Sequence, residues 1–123
     1  MKTKFTNNSK NTLKIYGIKT CGSVKKAFKF FKEKEIEYEF IDFKVTPADA
    51  KQIESWLKKV DIDILFNNRG RKYRDLKLKD LNLDAKGKET WLSKEYLLVK
   101  RPVIEFDDKV IVGFDEDKYN EIW

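Results

Sequence analysis

The sequence predicts an α/β domain: a four-stranded mixed sheet with flanking helices and a helical insertion. Three observations predict it. A strand pattern, a helical stripe and a second strand pattern follow one another between Leu13 and Phe43, at the spacing of a βαβ unit. A β-branched hairpin pattern lies near the other end, from Val103 to Phe114. Between them, residues 46–99 carry helical rather than alternating signals.

Leu13 to Ile18 is apolar and β-branched, as in a buried strand. After Cys21-Gly22-Ser23, the residues Val24, Ala27, Phe28 and Phe31 fall at i, i+3, i+4 and i+7, while Lys25, Lys26, Lys29 and Lys32 lie off that stripe. The pattern predicts a helix dry on one side and wet on the other. Glu37 to Phe43 alternates, with Tyr38 and Phe40 on one face and Ile41 and Phe43 on the other. The two strands of such a unit are expected to be parallel, joined by a right-handed crossover.

Thr46-Pro47-Ala48-Asp49 reads as a helix start, with Thr46 as N-cap and Pro47 in the first turn. This helix is expected to run to about Lys59 and to bury Ile53, Trp56, Leu57 and Val60. Ile62 to Phe66 fits either a short strand or a short helix, and Asn67-Asn68-Arg69-Gly70 is a turn. Helical pieces are expected around Asp75 to Leu81 and Gly87 to Val99. Asp107-Asp108 is a two-residue hairpin loop between β-branched strands. Asp115-Glu116-Asp117 opens a last helix with its acids at the favourable end. The order β-α-β, helical insertion, β-β-α is the thioredoxin-like arrangement. The domain is expected to span residues 13–123 with the insertion at about 46–99. Residues 1–12 are expected to form a flexible N-terminal tail, which holds Lys2, Lys4 and Lys10 and no acid.

Composition narrows the chemistry. The chain has 123 residues and one cysteine, so no internal disulfide can form and a reducing cytoplasm is the expected compartment. No apolar run approaches the length of a membrane span, and the polar start does not read as a signal peptide. Histidine is absent, which excludes Ser-His-Asp and Cys-His nucleophiles and histidine-ligated zinc. One thiol cannot build an all-cysteine zinc site, and no EF-hand spacing, Walker A or GxGxxG element occurs. No metal site and no bound cofactor are expected. The net charge of +6 concentrates in Asn67 to Asp80, where six cations face two acids. Such a run is commonly a solvated face, and direct nucleic-acid binding is disfavoured because Tyr73 is its only aromatic.

What remains is one thiol, many cations and the backbone. A free cysteine is often just a small buried hydrophobe. Cys21, however, sits between a strand and an amphipathic helix, where free N–H groups and the helix dipole favour the thiolate. The N–H groups of Gly22, Ser23 and Val24 are expected to point at the sulfur as an anion-accepting nest. Lys19 is near enough in sequence to add charge.

Four separated segments then converge on one family. Ile15-Tyr16-Gly17-Ile18-Lys19-Thr20-Cys21-Gly22-Ser23-Val24-Lys25-Lys26-Ala27, Leu65-Phe66-Asn67-Asn68-Arg69-Gly70, Lys100-Arg101-Pro102-Val103-Ile104-Glu105 and Val112-Gly113-Phe114-Asp115-Glu116-Asp117-Lys118-Tyr119 resemble, in order, the arsenate reductase (ArsC)/Spx family. The likeness runs from about Leu13 to Trp123 and is strongest to the YffB-like branch. It implies a thioredoxin-like fold with a helical insertion, Cys21 as nucleophile, Arg101 as anion-binding arginine and a cis peptide before Pro102. By sequence alone, an X-Pro bond before a strand is open to either isomer.

Two departures shape the expected activity. Arsenate reductases carry a second arginine where this chain has Asn67, with Arg69 two residues later, and a third where it has Gly113-Phe114-Asp115. The missing third arginine argues against efficient arsenate reduction. Val24 stands where a Cys-x-x-Cys switch would have its second cysteine. The resemblance implies a thiol-dependent reductase in which the Cys21 thiolate attacks an oxidised sulfur or an oxyanion, with glutathione or another small thiol as co-substrate resolving the adduct; the protein is expected to be cytoplasmic and monomeric. The alternative it implies is a non-enzymatic Spx-like regulator that binds RNA polymerase.

Overall fold

The computed structural model describes residues 12–123; residues 1–11, where most of the tail was expected, lie outside the described residues. In chain order the elements are β1 (Leu13–Gly17), α1 (Gly22–Glu33), β2 (Tyr38–Asp42), α2 (Ala50–Leu57), α3 (Ile62–Leu65), α4 (Arg71–Asp75), a 3-10 turn (Leu78–Leu81), α5 (Ala85–Lys94), a second 3-10 turn (Tyr96–Leu98), β3 (Val103–Phe106), β4 (Lys109–Val112) and α6 (Glu116–Ile122). They form two compact units. One comprises the chain up to Thr46 together with Arg101–Trp123, and the other is Pro47–Lys100.

The first unit holds the sheet, in the order β2-β1-β3-β4. β1 runs parallel to β2 and antiparallel to β3, and β4 is antiparallel to β3. This is the predicted mixed sheet in its thioredoxin-like arrangement. Strand periodicity puts Leu13 and Ile15 on one face, with Ile104 opposite Ile15 and Ile111 opposite Ile104. Onto that face α1 packs Ala27, Phe30 and Phe31, and α6 packs Tyr119. Phe30 meets Phe31, Phe114, Tyr119 and Trp123 edge-on, an arrangement worth about 0.5–1.5 kcal/mol per pair beyond area burial. In the hairpin loop Phe106 faces Lys109, and Asp107 takes φ 55°, a conformation its short polar side chain tolerates.

The second unit is helical, and α2 and α5 pack together within it. The helix start expected at Thr46 and Pro47 is corrected to Asp49, whose Oδ1 accepts the Gln52 N–H at 2.9 Å. Thr46 instead donates its N–H to the Asp42 carbonyl at 2.8 Å, closing the turn after β2. The charged Asp49 carboxylate both bonds an orphan N–H and meets the helix dipole, which a threonine hydroxyl does less well. Ile62 to Phe66 resolves as α3 followed by a single bridge from Phe66 to Val99. The piece expected at Asp75 to Leu81 becomes α4 and a 3-10 turn, separated by left-handed Lys77 (φ 53°). The piece expected from Gly87 starts earlier, because Asp84 caps α5 through a 2.8 Å bond from the Gly87 N–H. It breaks at Glu95, whose backbone is extended. No helix among the described residues is long and apolar enough to cross a membrane.

Candidate active site

The site lies in the first unit and begins with a glycine. A Cβ on Gly17 would stand 2.6 Å from Val24 Cγ2, far inside van der Waals contact. The missing side chain lets the first turn of α1 pack against the end of β1. Gly17 also accepts the Phe43 N–H through its carbonyl at 2.8 Å. The chain then turns tightly, the Cys21 N–H donating to the Ile18 carbonyl at 3.0 Å. Sequence reading missed the role of Gly17; its position at the end of a β-branched strand, ahead of the turn, was the available signal.

Cys21 takes the N-cap position of α1 with extended backbone (φ −70°, ψ 130°). Its carbonyl accepts the Lys25 N–H at 3.0 Å, the first helical bond. Where serine or aspartate would usually cap, a thiol stands. Its side chain closes no ordinary cap hydrogen bond, yet the N–H groups of Val24 and Ser23 face the sulfur and favour its ionised form. Gly22 follows as the first residue of α1, and an added Cβ there would meet nothing within 4 Å.

The second component is Arg101, brought from the far end of the chain to the start of β3. Its guanidinium acts on Cys21 both as a hydrogen-bond donor and as a charge. The Arg101–Pro102 peptide is cis, and the Pro102 carbonyl accepts the Gly113 N–H at 2.8 Å. Burial is the largest single influence on the thiol and raises its pKa. The Val24 N–H, the Arg101 side chain, the Ser23 N–H and the Arg101 charge together outweigh it, holding Cys21 below the ordinary value of 9.0. The thiol is partly exposed, so a thiolate formed there is reachable.

The other residues expected at the site fall into distinct places. Lys19 lies exposed in the turn before Cys21. Asn67 and Arg69 belong to the second unit. There Asn67 Oδ1 accepts the Arg69 N–H at 3.1 Å, and the Arg69 carbonyl accepts Arg74 Nη1 at 2.8 Å. Asn67 therefore builds the turn it was predicted to occupy. Where arsenate reductases are expected to carry a third arginine, Gly113 has φ 85°, Phe114 packs on Phe30 and Tyr119, and Asp115 caps α6 by accepting the Lys118 N–H. All three are structural, and the only charge among them is negative.

Comparison with known proteins agrees with this geometry. The ArsC family model matches residues 16–122, a stretch that includes both Cys21 and Arg101. An uncharacterized protein of Haemophilus influenzae is 34% identical over 106 residues, covering 85% of this chain and 93% of its own. Among solved structures, the YffB protein superposes with a TM-score of 0.83 at 29% identity, covering 89% of this chain and 97% of that one. A solution structure from Staphylococcus aureus COL gives 0.75 at 39% identity, covering 91% and 98%. By the extent of the family match and by these relatives, this protein belongs to the ArsC family and has its arsenate-reductase-like fold.

Proposed function

We propose that this protein is a cytoplasmic, monomeric, thiol-dependent reductase that acts on oxidised sulfur, with Cys21 as nucleophile and a small thiol such as glutathione as co-substrate. The observation that carries the reading is the setting of Cys21: a partly exposed thiol at the N-terminus of α1, faced by the Ser23 and Val24 N–H groups and by Arg101, which lower its pKa. A thiolate is the attacking species in exchange chemistry.

The steps balance as follows. The Cys21 thiolate attacks one sulfur of a substrate disulfide; that S–S bond breaks, a new one forms to Cys21, and the other substrate sulfur leaves as a thiolate. With no second cysteine in the chain, an external glutathione thiolate attacks the mixed disulfide and releases Cys21. A second glutathione frees the remaining substrate thiol and yields glutathione disulfide. Two thiols are oxidised and one disulfide is reduced. Arg101 stabilises the Cys21 thiolate before attack and when it leaves again. The lack of an arginine in Gly113-Phe114-Asp115, at the place of the third arginine, supports sulfur over arsenate as the target.

Turnover of a glutathione mixed-disulfide peptide by the wild type and by Cys21→Ser tests the reading. Loss of activity in the variant is expected. A Cys21→Ser protein with full thiol-transfer activity refutes it.

A further inference from the structure

We propose that Tyr119 is a positioning residue for the Cys21–Arg101 pair, acting through Gly113 and Pro102. The inference rests on the reading of that pair as the reactive centre. Tyr119 is fully buried, 0% exposed, among Phe30, Phe31 and Trp123. Those ring contacts need no hydroxyl; phenylalanine would fill the same volume. The hydroxyl is used elsewhere, donating to the Gly113 carbonyl at 2.6 Å.

Gly113 is the joint in this chain of contacts. It lies just past β4 at φ 85°, a region open to glycine and strained for other residues. Its carbonyl is held by Tyr119, and its N–H donates to the Pro102 carbonyl at 2.8 Å. Pro102 has no N–H, so that carbonyl is the whole of its backbone hydrogen-bonding capacity. The residue next to it is Arg101, whose side chain faces the sulfur. A glycine released at its carbonyl is held at one side only, and the Pro102 carbonyl bonded to its N–H, with Arg101 beside it, is positioned less firmly. The C-terminal helix thereby sets where the arginine stands.

The test is the rate of iodoacetamide reaction with Cys21, near pH 6, in the wild type, Tyr119→Phe, Arg101→Met and the double variant. A displaced arginine stabilises less thiolate, so Tyr119→Phe should react about threefold more slowly at that pH. In the Arg101→Met background the same change should have no further effect, because the group it acts through is gone. Phe31→Leu, in the same core cluster, should lower the melting temperature and leave the rate unchanged. The inference is overturned if Tyr119→Phe matches the wild type, if its slowing persists without Arg101, or if Phe31→Leu slows the reaction equally. An ordinary thiol pKa in the wild type overturns the proposed function as well; a low one that Tyr119→Phe leaves unmoved overturns this inference alone.

Discussion

Replacing Arg101 with methionine removes the donor and the positive charge that face Cys21 while keeping an unbranched side chain of similar reach. A hydrogen bond to a charged group contributes about 1.5–3 kcal/mol, and the lower half of that range suits a partly exposed site. At 1.36 kcal/mol per unit, the Cys21 pKa should rise by about 1–2 units. Below both pKa values the thiolate fraction then falls about tenfold to a hundredfold, but each unit of basicity returns about threefold in nucleophilicity. The net expectation is alkylation about threefold to tenfold slower in the variant at low pH. Above both pKa values the order reverses, and the variant, as the more basic thiolate, reacts about threefold to tenfold faster. The assay is the iodoacetamide rate between about pH 5 and pH 10, with the pKa taken from each profile. The two curves should cross. Parallel curves, or a variant slower at every pH, would refute the assignment of Arg101 as thiolate stabiliser and reduce it to a packing or substrate-binding role.

Other consequences follow from the same contacts. Gly17→Ala forces a methyl group against Val24 Cγ2 and should cost about 1–3 kcal/mol, read as a lower melting temperature together with a higher Cys21 pKa. Asp49→Ala should cost about 0.5–2 kcal/mol through the lost α2 cap, whereas Thr46→Ala, whose bond uses only backbone, should cost almost nothing; equal losses in thermal unfolding would contradict the assigned cap. Because the folded-state thiol lies below its ordinary value, the unfolded chain holds that proton more tightly. The thiolate's contribution to stability is fully present above 9.0 and is lost as pH falls through the lowered pKa. The melting temperature of reduced wild type relative to Cys21→Ser should therefore climb across that window; a constant difference would count against the shift.

The parts of this molecule legible in its sequence are those where period and burial coincide. The stripe from Val24 to Phe31 and the alternation of the hairpin face one continuous apolar core, and hydrophobic spacing alone locates them. The insertion is different. Its helices are short, and their ends are set by single side chains, Asp49, Asp61 and Asp84, or by left-handed residues such as Lys77 and Asn82. Neither leaves a periodic trace, so boundaries there shift by several residues. Cys21 was legible because strand, turn and helix all surround it locally. The closeness of Arg101 to Cys21 depends on chain reversal through the sheet, which no local pattern carries; motif likeness suggested it. Gly113 and Tyr119 act through contacts between separate elements, which no local pattern carries.

The central claim is that Cys21 is a stabilised thiolate working as an exchange nucleophile. Its most direct measurement is intact-protein mass spectrometry of the reduced chain mixed with glutathione disulfide near neutral pH, followed by excess glutathione. The account predicts rapid capture of one glutathione on Cys21, at a rate that tracks the thiolate fraction and falls in Arg101→Met, and full release by the added thiol. A protein that stays unmodified, or that is modified no faster than an unstructured cysteine peptide at the same pH, would contradict it.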